Sequence, residues 1–323
     1  MQTYLKTKPA GIQLLLFMGM AFGIFLILSL IGGAALSKMT GISMLQLQDV
    51  SNWNAKDPNM IFFIRGMLLI QFLGLFVIPS LLFSYLSDPR PLDYIGLKNP
   101  SQGIFWVYGI LCLLVSIPFV DYMGYLNQKI FFGTAQNWVK GMEDDAAKQI
   151  QFMLSKHTPT ELVLNLIFIA GFAGIGEELF FRGVLQRLFI KSTRSPIWGI
   201  IITAALFSGF HFQFFGFIPR FLLGAILGAI YWYSGSLWTA IIAHFVYDGL
   251  MIVLVYFNPD LIKHPDSTLL QQSQLQLLIT AAISLLLTWL LLQQMRKKSS
   301  TDYHAVYAAD SETAEELTDE RWR

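Results

Sequence analysis

Long apolar runs separated by short polar punctuation make up most of this chain, and the lengths of those runs predict its architecture. Runs at about 12–36, 63–86, 103–122, 162–189, 196–214, 218–234, 236–257 and 275–294 each lie near the roughly 17–25 residues a helix needs to cross the hydrocarbon. Stretches such as Leu14-Leu15-Leu16-Phe17 and Leu285-Leu286-Leu287 lack the two-residue alternation of a barrel strand. Backbone groups in lipid must also be bonded within their own segment. The pattern therefore predicts an all-α, polytopic transmembrane helical bundle of about eight spans. Composition agrees: 54% of the 323 residues are hydrophobic and 13% charged, against about 25% charged in soluble domains.

Residues 1–295 read as one transmembrane domain, and 296–323, rich in Asp, Glu, Ser and Thr, as a polar, disordered cytoplasmic tail. The first run follows Lys6 and Lys8 as a signal peptide would, but exceeds the roughly 7–15 residues of a signal peptide core. It is read as a retained anchor, although Gly33-Ala34-Ala35 has the look of a cleavage site. In an eight-span layout, Lys6, Lys8, Arg90, Lys98, Arg187, Lys191, Arg194, Arg296, Lys297 and Lys298 fall on one side. The positive-inside rule makes that side cytoplasmic, with both termini on it, in a membrane expected to be a bacterial cytoplasmic (inner) membrane.

The loop at about 123–160 carries Trp138, Val139, Met142, Ile150, Phe152, Met153 and Leu154 at loosely helical spacing. It reads as an amphipathic helix on the membrane surface, a cap over a site, or a solvated connector. Thr158-Pro159-Thr160-Glu161 supplies helix-start chemistry for the run that follows. The lone Cys112 excludes an internal disulfide and is read as a small buried apolar group. A net charge of +1 without a basic cluster or aromatic ladder gives no support for nucleic acid as a partner. Membrane lipid is the partner that composition implies.

Against this background the charged residues inside apolar runs are the candidate chemistry. Each costs about 2.5–3.5 kcal/mol to place in the bilayer even on lenient scales. In Gly176-Glu177-Glu178-Leu179-Phe180-Phe181-Arg182-Gly183, Glu178 and Arg182 stand at i and i+4 and can pair on one helix face. Glu177, about 100° away on an α-helix, is left to work on a proton or a metal. One arginine does not cheaply neutralise two buried acids, so packing alone accounts poorly for Glu177. Two further runs hold Phe207-Ser208-Gly209-Phe210-His211 and His244-Phe245-Val246-Tyr247-Asp248. Glu177, His211, His244 and Asp248 come from three runs and are ligands or proton carriers by type.

The sequence Glu-Glu-x-x-x-Arg, Phe-x-x-x-His, His-x-x-x-Asn or Asp, at about 177–248, resembles the CPBP family. These are the CAAX-protease and bacteriocin-processing (Abi) intramembrane peptidases. Their eukaryotic relatives, the type II CAAX prenyl endopeptidases, remove the last three residues after a prenylated cysteine. The resemblance implies an intramembrane endopeptidase, and a peptide or lipidated protein substrate. It implies that Glu177 and His211 activate water, and that His244 with residue 248 stabilises the oxyanion. Glu178 and Arg182 would then buttress Glu177, and Phe207 would shape the pocket. The chain departs from the eukaryotic pattern at Asp248, where those enzymes carry asparagine. An ionised aspartate repels an oxyanion, so it must be protonated, orient His244 or bind a metal. The resemblance leaves cofactor use open between no obligatory metal and a single Zn²⁺ held by Glu177, His211, His244 and Asp248. No His-Glu-x-x-His motif supports the zinc reading.

Two other readings use the same residues: a non-catalytic peptide- or lipid-binding membrane protein of the bacteriocin-immunity type, and an ion-coupled transporter. The pairs Gly19/Gly23 and Gly224/Gly228 predict close helix packing. Gly171, Gly174 and Gly176 predict close approach of a helix or a substrate backbone. Asp121 and Arg220 sit near predicted span ends and are read as snorkelling. His157, His264 and His304 fall in loops or the tail and receive no role.

Overall fold

The computed structural model describes residues 4–47, 49–130, 132–263, 273–303, 306 and 307. His264 and most of the tail, including His304, lie outside the described residues. In chain order the main helices are α1 (Ala10–Thr40), α2 (Pro58–Ser87), α3 (Ile104–Asn127), α4 (Gln136–Met153), α5 (Pro159–Thr193), α6 (Pro196–Gly209), α7 (Phe217–Ser234), α8 (Leu237–Phe257) and α9 (Gln274–Lys298). All regular structure among the described residues is helical. Seven of the helices are long and apolar enough to cross a membrane.

The starts of three helices are written locally. Asp57-Pro58, Thr158-Pro159 and Ser195-Pro196 each place a side-chain cap before a proline at the first helical position. Thr158 accepts from the Glu161 backbone N–H at 3.3 Å, as the helix-start pattern predicts. The fifth of the eight expected spans, 196–214, is corrected. Its helix, α6, has 14 residues and is about 21 Å long, short of the roughly 30 Å hydrocarbon. The chain leaves the helix at Gly209 and turns through His211 and Phe212, where φ is 52°. The apolar run continues because Phe210 packs on Phe180 and Phe181, with centroids 6.0 and 5.6 Å away. Hydrophobicity there reports partial packing of a turn, not helix continuation.

The bundle is apolar outside and polar inside, as lipid requires. Leu15, Ile31, Leu286 and Trp289 face outward, whereas Glu178, Arg182, Gln186, Asn165 and His244 are buried. Cys112 is buried among apolar neighbours, as expected. The basic helix ends lie together. Lys6 pairs with Asp88 at 3.2 Å, and Lys191 Nζ donates to the Lys6 carbonyl at 3.4 Å. At the same end, Ser236 Oγ donates to the Lys98 carbonyl, and Gln102 Nε2 donates to the Lys298 carbonyl at 3.1 Å. The start of the tail packs there too: Tyr307 is buried and its hydroxyl donates to the Arg187 carbonyl at 2.8 Å. Of the tail expected to be disordered, residues 296–298 complete α9 and Tyr307 is packed, while most of the rest lies outside the described residues.

Glycines decide how closely the helices approach. Gly174 of α5 lies against the α8 backbone: a Cβ there would stand 3.2 Å from the Ile241 carbonyl oxygen and the Phe245 nitrogen. On α7, Gly224 and Gly228 let two side chains of α5, one turn apart, reach their carbonyls. Arg182 Nη2 donates to Gly224 at 3.0 Å and Gln186 Nε2 to Gly228 at 3.0 Å. Gly19 and Gly23 differ from expectation, since a Cβ at either meets nothing within 4 Å. A Cβ at Gly228 would stand 2.5 Å from Gln186 Oε1 and 3.1 Å from Ile200. Gly228→Val is therefore expected to destabilise by about 1–3 kcal/mol, read as a lowered thermal midpoint in detergent, with Gly19→Val near wild type.

Candidate active site

Over much of its length α5 is wound wide, with i→i+5 hydrogen bonding through Leu166–Gly171 and Ala173–Gln186. Such wide turns are rare and gather at functional sites. The second of these segments carries both glutamates and the arginine. Arg182 Nη1 donates to Glu178 Oε1 at 2.7 Å, and both side chains are 0% exposed. The guanidinium also stacks 4.5 Å from the Phe207 ring. The same Glu178 oxygen faces His244 Nδ1 at 2.9 Å. Among the described contacts this pair therefore holds His244, and through Gly224 it holds α7. Among the described contacts Glu178 and Arg182 bond to His244 and to each other, and none is made to Glu177, which the resemblance has them buttress.

His244 sits between two carboxylates. Its Nδ1 faces Glu178, and its Nε2 lies 3.3 Å from Asp248 Oδ2, one turn on in α8. Both ring positions are engaged by acceptors, which fixes the plane of the imidazole. Of the roles open to Asp248, orienting His244 is the one this geometry supports.

His211 is different. Its Nδ1 is 2.8 Å from the Phe207 carbonyl oxygen, which can only accept, so Nδ1 carries the proton. In the neutral ring Nε2 then holds the bare lone pair. The Phe207 ring stands edge-on to His211 at 5.1 Å and to His244 at 6.2 Å. One phenylalanine thus sets the His211 tautomer with its carbonyl and spaces the two imidazoles with its ring.

Glu177, Phe207, His211, His244 and Asp248 line a single cavity of about 780 Å³. Its remaining wall is mostly apolar, with Phe25 from α1, Ile64, Met67 and Phe76 from α2, Leu113 from α3 and Leu223 from α7. Glu178 and Arg182 stand behind this lining. All four titratable residues line this cavity, with His211 delivered by a turn and not by a span. Among the described residues no three of the His, Cys, Asp and Glu side chains are disposed to hold one metal ion. Both His244 nitrogens are already faced by carboxylates, so the donor set written for Zn²⁺ does not fit as a ligand shell.

Sequence reading passed over several residues around this cavity. Asp121 and Arg220, expected at span ends, both line it. Gln149, Ile150 and Met153 of α4 also line it, so of the readings for the 123–160 loop the structure supports the cap. Glu143 of α4 accepts from the Phe215 backbone N–H at 2.8 Å. Asn127, at the end of α3, accepts from the Ile218 N–H at 2.7 Å and donates to the Phe214 carbonyl at 2.8 Å. These bonds brace the turn from His211 to Arg220. No local signal announces Glu143, because its partner is 72 positions away. Buried Asn127 at the end of an apolar helix is the clue a sequence reader has.

Residues 159–250 match the family model of type II CAAX prenyl endopeptidase Rce1-like proteins. The uncharacterized protein YpbD of Bacillus subtilis (strain 168) is 31% identical over 99 residues, which are 29% of this chain and 47% of that protein. The chain thus spans about half the length of this curated relative. No solved structure gives a significant match.

Proposed function

We propose that this chain, a member of the type II CAAX prenyl endopeptidase Rce1-like family through residues 159–250, is a multi-pass membrane endopeptidase that hydrolyses a membrane-associated peptide with water. The observation that carries the reading is that Glu177 and His211 line one cavity, with His211 Nδ1 engaged by the Phe207 carbonyl. A water between them finds two proton acceptors. As its hydroxyl oxygen attacks the scissile carbonyl, one proton passes to this pair and is later returned to the leaving amine. Phe207, Glu178, Arg182 and Asp248 position the two imidazoles. No step is routed through a metal.

The apolar cavity wall fits a hydrophobic or lipidated substrate, and the prenylated CAAX type is the family's class. By the positive-inside rule the face that gathers the basic helix ends is read as cytoplasmic, in a membrane proposed to be a bacterial inner membrane. Loop residues Leu47 and Trp53 and helix α4 line the cavity at the opposite end, where α4 caps it.

The test is incubation of the protein in lipid nanodiscs with a farnesylated peptide carrying three residues beyond the modified cysteine, and with its unmodified twin. Release of the terminal tripeptide by mass spectrometry is expected, faster from the farnesylated peptide. Intact peptides together with measurable binding would overturn the peptidase reading in favour of a binding protein.

A further inference from the structure

Hydrolysis through a tetrahedral intermediate needs a donor aimed at the oxygen that becomes negative. In this cavity the two residues the family resemblance assigns to that task are poorly equipped for it. Both ring nitrogens of His244 already face carboxylates, Glu178 and Asp248, and residue 248 is an acid in place of the amide of the eukaryotic enzymes. We infer that Arg220 is the oxyanion-stabilising residue of this chain, a role that rests on the peptidase reading above.

Three observations carry the assignment. First, Arg220 lines the same cavity as Glu177 and His211. It lies in the first turn of α7, directly after the braced turn that delivers His211. Second, among the described residues its guanidinium forms no close ion pair, the acids acting on it being Glu143 and Glu177. Its recorded bond runs from Nη1 to the Gln213 carbonyl at 3.2 Å, leaving other N–H groups of the five-donor fork for an incoming oxygen. Third, the guanidinium rests against the backbone of the braced turn. A Cβ built at Gly216 would lie 2.9 Å from Arg220 Cζ, so the guanidinium packs directly on this glycine. The other groups with charge or a titratable proton that line the cavity are Asp121, Glu177, His211, His244, Tyr247 and Asp248. Among them Tyr247 offers a neutral donor, and a charged donor makes the stronger bond to an oxyanion.

The test is kinetic, on the full chain in nanodiscs with the farnesylated peptide. Arg220→Gln is expected to lower kcat by roughly 10²–10³-fold with KM within about threefold, the size seen when one oxyanion donor is lost. Arg220→Lys should recover part of that loss. The decisive arm is Asp248→Asn placed on Arg220→Gln: the amide restores a donor, so the double variant should exceed Arg220→Gln at least tenfold. An unchanged kcat in Arg220→Gln would overturn the assignment, as would a rise in KM alone, which marks ground-state binding. Absence of rescue by Asp248→Asn, with a wild-type thermal midpoint in each variant, would overturn it too. A wild-type protein that leaves every peptide intact removes the peptidase reading itself, a different result from a wild type that cleaves beside an equally active Arg220→Gln.

Discussion

Glu177→Gln is expected to lower peptide turnover by roughly 10²–10⁴-fold, the usual contribution of a positioned base, while leaving the fold intact. The amide keeps the side chain's size but cannot take a proton from water. Glu177 has no part in the Glu178–Arg182 pair, so little structural bonding is lost. His211→Ala is expected to have a comparable effect, because it removes the second acceptor while the Phe207 carbonyl remains in its helix. Rates measured by product formation, alongside thermal midpoints, check both variants. Persistent wild-type turnover in either one would displace it from the proton-transfer pair.

Arg182→Met is expected to act on the fold itself. It strips a fully buried carboxylate of its cation, and removing one member of a buried pair costs about 3–5 kcal/mol. It also deletes the tie to the Gly224 carbonyl and loosens the acceptor that holds His244. The measurement is the unfolding midpoint in detergent, expected to fall far more than in Glu177→Gln. Arg182→Lys should not restore wild type, because Arg182 reaches Glu178 and Gly224 through two separate nitrogens and an ammonium lacks that fixed fork. Equal midpoints for Arg182→Met and wild type would mean the pair is not needed for stability. The contrast between the two adjacent glutamates is the useful outcome: one variant fails chemically, the other structurally.

Much of this arrangement was legible along the chain. Runs of apolar residues announced seven of the eight expected spans, because in lipid a run of sufficient length has one way to satisfy its backbone. Thr158 and Pro159 marked the start of α5. Depth of burial exposed Glu177, Glu178, Arg182, His211 and His244, since ionisable groups persist in apolar segments only for a reason. The end of α6 was not legible, because Phe210 to Phe217 are as apolar as the helix before them and serve as packing for a turn. The roles of Asp121 and Arg220 were missed for a related reason: their place near span ends suits snorkelling equally well, and only the neighbouring helices say whether such a residue meets water or a cavity.

The sequence by itself determined that the chain is a helical membrane bundle, and which side chains are too costly to be there for packing alone. It did so because the bilayer charges a known penalty for every polar group and tolerates few backbone conformations. Tertiary structure alone decided which partner each of those groups has. Glu178 and not Glu177 took the arginine and His244, the Phe207 carbonyl chose the His211 tautomer, and Glu143 and Asn127 fixed the turn beside it. These choices depend on distances between helices far apart in the chain, set by glycine contacts and wide turns whose effect on register no local pattern encodes.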